Sequence, residues 1–251
     1  MVDIHTHVLP GIDDGSKSSE MSLEMLRESK AQGVDTVIAT SHCYLKHEDD
    51  VDDFLKKQKE SYKLLMDNIK HEEELPDIKL GCELKIETDF SGFKNIDKLC
   101  IEGTNYILIE MPYTAWMPFV YDVLYNLTIH GFRPIMAHID RFYTHKDDFK
   151  NLWDLDLIYQ INADSFIIPK VRKIMPFYFK NNMVQLIGSD MHNTNTRPQR
   201  IGEAYNIIDE YYGKECTYYL KKNSDDIINN KSIEFHTFKK KNVFKRKFSK
   251  E

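Results

Sequence analysis

Short apolar runs rich in β-branched residues recur along the chain and alternate with stretches of helical period. Val2–Thr6, Thr36–Thr40, Ile78–Ile86, Tyr106–Glu110, Pro134–His138, Leu157–Ile161 and Val184–Gly188 read as strands. Between the first two, Ser18 or Ser19 caps a helix that runs to about Gln32 and stops at Gly33. Asp49–Glu74 reads as a long, highly charged helix closed by Pro76. Further helices are expected around Phe119–Ile129, Asp147–Leu152 and Lys170–Asn181, and from about Pro198 to Tyr212, where Gly213 ends the pattern. Seven strands in βα alternation predict an α/β fold with a parallel sheet or barrel. No Gly/Ser/Pro-rich linker divides the pattern and no repeat of fixed period occurs. Residues 1–251 therefore read as a single domain, with a basic tail from about residue 231.

Composition narrows the class. With 41% hydrophobic and 29% charged residues in 251, the chain can bury a sizeable core and is not globally disordered. No apolar run approaches the roughly 18 residues of a membrane span. The first residues, Met1-Val2-Asp3-Ile4-His5, lack the basic and apolar regions of a secretory signal. Cys43, Cys82, Cys100 and Cys216 lie far apart with no CxxC pair, which fits a reduced, cytoplasmic protein. The net charge of −6 gives no electrostatic reason to bind nucleic acid. Charge is unevenly spread, however: Lys239 to Glu251 hold seven basic residues and one acid. That segment reads as a solvated tail or as a tether for peripheral contact with an anionic membrane face or an acidic partner.

Metal-type residues gather at the strand ends. In Asp3-Ile4-His5-Thr6-His7 a period of two points Asp3, His5 and His7 the same way, and two such imidazoles can chelate one ion. The second strand ends at His42, the third carries Glu83, the fourth ends at Glu110, the fifth at His138, and the seventh runs into Asp190 and His192. A carboxylate after a buried apolar run is costly unless something neutralises it. In barrel folds the C-terminal strand ends converge on one active-site face. Unrelated surface groups would not recur at six strand ends. His47, His71, His130, His145 and His236 fall in charged or helical segments and read as surface residues. Cys82 should point away from Glu83, into the core.

These residues, in this order, resemble the polymerase and histidinol phosphatase (PHP) superfamily of metal-dependent phosphoesterases. More narrowly, they are similar to its bacterial protein-tyrosine phosphatase branch, encoded with capsule and exopolysaccharide genes. The likeness is carried by Asp3-Ile4-His5-Thr6-His7, Asp13-Asp14-Gly15, Thr40-Ser41-His42, Gly81-Cys82-Glu83 and Ile109-Glu110-Met111-Pro112. It continues through Ala137-His138-Ile139-Asp140-Arg141, Ser189-Asp190-Met191-His192-Asn193 and Arg197-Pro198. The resemblance implies a distorted (β/α)7 TIM-like barrel with three divalent ions, manganese ahead of iron, zinc or magnesium. By motif, a first ion would take His5, His7, Glu83 and Asp190, and Glu83 would bridge to a second, also held by Glu110 and His138. A third would take Asp14, His42 and His192. Asp3 would orient a histidine rather than bind metal.

Charge balance agrees with three ions. Asp14, Glu83, Glu110 and Asp190 offset two divalent ions, so a third leaves positive charge to hold a phosphate. Arg141 and Arg197 sit just past ligand positions, and a guanidinium fork suits phosphoryl oxygens, so both are read as catalytic clamps on the transition state. The implied reaction is hydrolysis of phosphotyrosine by metal-activated water, on the tyrosine-rich tail of a bacterial tyrosine kinase that regulates polysaccharide assembly. Two alternatives remain at this point: a small-molecule phosphatase such as histidinol-phosphatase, and a non-catalytic module that binds the kinase tail. Two positions depart from the branch. Asp140 stands where a glutamate is common and is expected to alter the support of Arg141. Cys43-Tyr44-Leu45-Lys46-His47 matches no family pattern and is expected to border the substrate cleft.

Overall fold

The computed structural model describes residues 1–145 and 147–240. In chain order, strand β1 (Val2–Thr6) leads to helix α1 (Ser19–Ala31), β2 (Thr36–Ala39), β3 (His42–Tyr44), α2 (Asp49–Ile69), β4 (Asp77–Leu80) and β5 (Glu83–Lys85). Then come β6 (Tyr106–Glu110), α3 (Pro118–Ile129), β7 (Arg133–Met136), β8 (Ile158–Asn162) and α4 (Ala163–Ile167). The chain continues through α5 (Met175–Lys180), β9 (Leu186–Gly188), α6 (Ile201–Tyr211) and α7 (Lys214–Ile228).

All described strand pairs are parallel. They form a three-stranded sheet ordered β1-β2-β4 and a six-stranded sheet ordered β3-β5-β6-β7-β8-β9. The two sheets share runs of chain. The expected strand Thr36–Thr40 forms as β2 and is followed, after Thr40-Ser41, by the unexpected short strand β3. The expected strand Ile78–Ile86 breaks at Gly81-Cys82 into β4 and β5, so that β2 pairs with β4 and β3 with β5. Backbone bonds carry across the break, from Gly81 N to Ala39 O (3.1 Å) and from Glu83 N to Ser41 O (3.1 Å). At the end of β2, Thr40 N donates to Thr6 O at 2.8 Å and its Oγ1 accepts from Thr6 N at 3.1 Å, so a side-chain hydroxyl takes part in the bonding there. A hydroxyl that joins ladder bonding leaves no trace in hydrophobic periodicity. At the other margin β9 meets β1 through a parallel bridge between Thr6 and Met191, with His7 N donating to Met191 O and Asp190 N to His5 O (both 2.9 Å). That seam draws the first and last strand ends together.

Helix α1 begins where expected, with Ser18 Oγ accepting from Met21 N. Helix α2 ends at Ile69, before the expected Glu74, which itself has φ 61°. The stretch expected as a helix over Lys170–Asn181 is a short 3-10 turn followed by α5, and α7 extends the fold beyond the last expected helix. Its buried face includes Asn223 and Ser224, which interrupt the apolar period. Asn223 Nδ2 donates to Gln185 O at 3.0 Å, so its amide nitrogen is satisfied by the turn before β9.

Residues 231–238 are held against the body. Tyr106 Oη donates to Lys231 O (2.5 Å), Tyr219 Oη donates to Glu234 O (2.9 Å), and the Phe238 ring lies 5.3 Å from that of Tyr219. The basic tail expected from about residue 231 therefore starts as a tied-down segment. Its charge-rich part from Lys241 to Glu251, with the membrane or partner tether read there, lies outside the described residues. Among the described residues, no helix is long and apolar enough to cross a membrane.

Two glycines permit close approach at the site. A Cβ on Gly15 would sit 2.4 Å from His7 Cβ, and one on Gly188 would sit 2.7 Å from His5 Cβ. Replacing Gly15 with alanine is therefore expected to displace His7, lowering metal content more than thermal stability. Titrating metal per chain beside a melting curve checks this, and unchanged metal content would contradict it.

Candidate metal centre

All nine residues expected to bind metal converge. His5, His7 and Asp190 form one group whose donor atoms lie within 4.8 Å of one another. His7, Asp14, His42 and His192 form a second, and His42, Glu83 and Glu110 a third. His138 joins the last, with Nε2 2.6 Å from Glu83 Oε1 and 3.9 Å from Glu110 Oε1. Glu83 lies at the centre: Oε2 is 3.2 Å from His5 Nε2, 3.3 Å from His7 Nε2 and 3.0 Å from His42 Nδ1. It is fully buried, as are His5 and His7.

The atoms face one another in ways that hydrogen bonding alone does not satisfy. His5 Nε2 and His7 Nε2 stand 3.2 Å apart, ring nitrogen against ring nitrogen. Asp190 Oδ1 and His192 Nε2 are buried without a hydrogen-bond partner, although imidazole or carboxylate atoms lie 3.3–3.6 Å away. Lone pairs aimed at a shared space are what ligands to cations present. Imidazole with carboxylate and no thiolate suits manganese, iron or zinc. Two of the residues also carry backbone strain: His138 has φ 31° and Asp190 φ 54°, both left-handed for a residue with a Cβ. The β9–β1 seam fixes Asp190, because its own N–H donates to His5 O.

Asp190 separates two functions between its oxygens. Oδ1 faces the histidines, while Oδ2 accepts from Asn162 Nδ2 (2.8 Å), from Arg197 (2.5 Å) and from Arg141. Both arginines thus stand at the mouth of the cluster, each with about a third of its side chain exposed (34% and 33%).

The supporting contacts correct one expectation. Asp3 does not hold an imidazole. Its Oδ1 accepts from Ser189 N (2.9 Å) and its Oδ2 from Gln199 Nε2 (2.7 Å), tying β1 to the backbone just before Asp190. Asp13 takes the orienting role, with Oδ2 2.8 Å from His7 Nδ1 and also accepting from His42 N (3.0 Å). Gln160 does the same for His5, through Oε1 at 3.2 Å from Nδ1, and that oxygen also accepts from His138 N at 2.7 Å. Asp140, expected to alter the support of Arg141, does not hydrogen-bond to it and accepts instead from Asn162 N (2.9 Å) and Ser165 Oγ (2.6 Å), in line with that expectation. Arg141 is held instead by Asp190 and by Tyr113 Oη at 3.3 Å. The segment Cys43–His47 begins within strand β3, and its Tyr44 borders the cleft beside Asp14 and His42.

The sequence and the fold have relatives. The family model for capsular polysaccharide synthesis, CpsB/CapC, matches residues 1–229. The chain belongs to the CpsB/CapC family. It is 30% identical to the tyrosine-protein phosphatase CpsB of Streptococcus agalactiae serotype III, over 93% of this chain and all of that one. It is 28% identical to the tyrosine-protein phosphatase YwqE of Bacillus subtilis, over 93% of each. A solved chain from work on YwqE of Bacillus subtilis and CpsB of Streptococcus pneumoniae, described as unique metal-dependent tyrosine phosphatases, superposes with a TM-score of 0.81 at 25% identity. That match covers 96% of this chain and 99% of the other. The parallel α/β architecture is therefore the PHP-type fold expected from the sequence.

In this CpsB/CapC chain the cluster, without a cation, draws protons onto His5, His7 and His42. Burial alone would strip His7, but its bonds to Asp13 and Glu83 outweigh burial and hold its pKa at about 9. His5 and His42 are raised too, burial again being outweighed by Glu83. Glu83 and Asp190 are pushed below the carboxylate range despite burial, chiefly by the facing His5. His192 falls to about 3 through burial and the neighbouring His7 charge.

Metal ligation needs neutral imidazole. Loading at neutral pH should therefore release protons, and apparent affinity should rise with pH until it levels off above about 9, where His7 is already neutral. Calorimetric titration in two buffers of different ionisation enthalpy measures this. Heats independent of the buffer would contradict it.

Proposed function

We propose that this chain is a metal-dependent phosphatase of protein phosphotyrosine, and that the whole chain acts as one unit. The observation that carries the reading is the division at Asp190. One oxygen is left to a buried imidazole cluster, while the other gathers two guanidinium groups at its mouth. Cations below and arginine forks above make a receptacle for a phosphoryl group.

The proposed ions number three, manganese ahead of iron, zinc or magnesium. His5, His7, Glu83 and Asp190 would hold the first, Glu83, Glu110 and His138 the second, and Asp14, His42 and His192 the third. Bound, the ions would polarise phosphoryl oxygens and make water acidic enough to serve as nucleophile at neutral pH. The chain's own residues do the rest. Arg141 and Arg197 swing from Asp190 to the equatorial phosphoryl oxygens and stabilise their charge in the transition state. Asn162, which donates to the same Asp190 oxygen, keeps that carboxylate partnered. Asp13 and Gln160 hold the His7 and His5 rings in place.

The proposed substrate is the tyrosine-rich tail of a bacterial tyrosine kinase in the cytoplasm, with capsule or exopolysaccharide synthesis as the regulated process. The named activity of the CpsB and YwqE relatives supports this over histidinol-phosphatase chemistry. The test is phosphate release from a phosphotyrosyl peptide, a phosphoseryl peptide and histidinol phosphate, side by side. Preference for the phosphotyrosyl peptide is expected. Faster turnover of histidinol phosphate would move the assignment to a small-molecule enzyme, and peptide binding without release to a binding module.

No thiol takes part in this scheme. All four cysteines are free and buried, and burial raises Cys82 well above its usual value and Cys100 and Cys216 to about 12. Cys82 Sγ donates to Leu99 O, within the hydrophobic core. Brief iodoacetamide treatment of the native protein is expected to leave turnover largely intact. A trapped phosphocysteine adduct would refute the scheme.

A further inference from the structure

Strand β5 alternates Glu83, Leu84 and Lys85, so Lys85 projects to the same side as Glu83 while Leu84 enters the core. The Lys85 ammonium lies 3.6 Å from Glu110 Oε2. It also faces two tyrosine rings, 5.2 Å from the centroid of Tyr113 and 5.9 Å from that of Tyr44. These rings come from different parts of the fold, Tyr44 ending β3 and Tyr113 following β6, and each is half exposed (50% and 51%). Each is also continuous with the cluster. The Tyr44 ring lies 5.7 Å from that of His42, and Tyr113 stacks at 5.2 Å on Phe142, whose ring lies 6.1 Å from that of His138.

A cation bracketed by two aromatic faces, opening outward from a carboxylate–imidazole cluster, is complementary to an aryl group bearing an anionic oxygen. Arg141 and Arg197 occupy the Asp190 side of the mouth, whereas Lys85 stands on the Glu110 side. The two arginines suit the transferring phosphoryl group, which leaves the oxygen on the ring without a cationic partner from them. We propose that Lys85 is a catalytic residue that neutralises the departing phenolate of an aryl phosphate, with Tyr44 and Tyr113 bracketing its ring. The inference rests on the phosphatase reading above.

In this step a water oxygen forms the new bond to phosphorus and gives up its proton to solvent. The bond between phosphorus and the phenolic oxygen breaks, with the electron pair remaining on that oxygen. Lys85 stays protonated throughout and donates a hydrogen bond to the phenolate, which takes a proton from solvent after it leaves.

The test compares kcat/KM on phenyl phosphate, whose phenol has a pKa of about 10 like tyrosine, with that on 4-nitrophenyl phosphate, whose phenol is far more acidic. Lys85→Met is expected to lose about 10²-fold on phenyl phosphate and only a few-fold on the nitrophenyl ester, since a good leaving group needs less stabilisation. Lys85→Arg is expected to restore most of the difference. The ratio of the two substrates is insensitive to the fraction of metal-loaded protein, so a merely structural role would lower both rates alike. An equal fall on both substrates, or no fall, would overturn the role of Lys85 while leaving the phosphatase reading standing. A wild-type protein inert toward both would overturn that reading and this one with it. Should Lys85→Met fail to fold, the wild-type enzyme alone decides across a series of aryl phosphates. A shallow dependence of log kcat/KM on leaving-group pKa is expected, and one as steep as that of the uncatalysed reaction would overturn the proposal.

Discussion

Asp190→Ala is expected to lose bound metal and phosphotyrosine turnover together, by more than the roughly 10²–10³-fold cost of removing one charge-stabilising donor. The substitution acts twice. It deletes the unpartnered oxygen that faces His5, His7 and His192, and it frees two guanidinium groups from their shared carboxylate. The strained backbone at this position, φ 54°, gains nothing from alanine, so stability is not expected to rise enough to mask the loss. Elemental analysis of the purified variant beside a phosphate-release assay checks both effects. A variant that holds full metal and turns over normally would remove Asp190 from the site.

Arg141→Ala and Arg197→Ala should each keep metal and fold but lose turnover by about 10²–10³-fold, or roughly 2.7–4 kcal/mol of transition-state stabilisation. Either variant leaves Asp190 Oδ2 with the other arginine and Asn162, so the ligand stays partnered and in place. The loss is expected in kcat more than in KM, because charge builds on the phosphoryl oxygens as the bond breaks. The double variant should cost less than the product of the singles, since both forks serve one phosphoryl group. Wild-type kcat in both single variants would return the two arginines to the surface.

How far the sequence reached depends on the kind of signal. The convergence of the candidate ligands was legible because β-strand alternation is local: His5 and His7 are two apart, and an apolar run that ends in Glu110 or His138 marks a buried polar group without tertiary knowledge. The parallel arrangement followed from βα alternation in the same way. What failed to show depends on contacts between distant parts of the chain. Gln160 supports His138 from the neighbouring strand and His5 from beyond the next, and nothing in Leu157–Ile161 distinguishes it from any polar residue on a strand. Asp13 was visible inside the Asp13-Asp14-Gly15 turn, but whether it or Asp3 reaches an imidazole depends on the close approach of Gly15 to His7. Lys85 was visible in principle, two residues after Glu83, yet its meaning depends on Tyr44 arriving from β3 and Tyr113 from the segment after β6. Helix α7 was obscured by Asn223 and Ser224 on its buried face: Ser224 bonds back to Leu220 O within the helix, while the Asn223 amide nitrogen finds Gln185 O only in the folded chain.

The most direct measurement is phosphate released from a phosphotyrosyl peptide by one preparation of the protein, assayed after exhaustive chelation and again after reloading with Mn²⁺. Turnover at background in the stripped protein and recovery on reloading are expected, because the nine convergent ligands are read as the seat of the reaction. Undiminished turnover in the verified metal-free protein would contradict that reading at its centre.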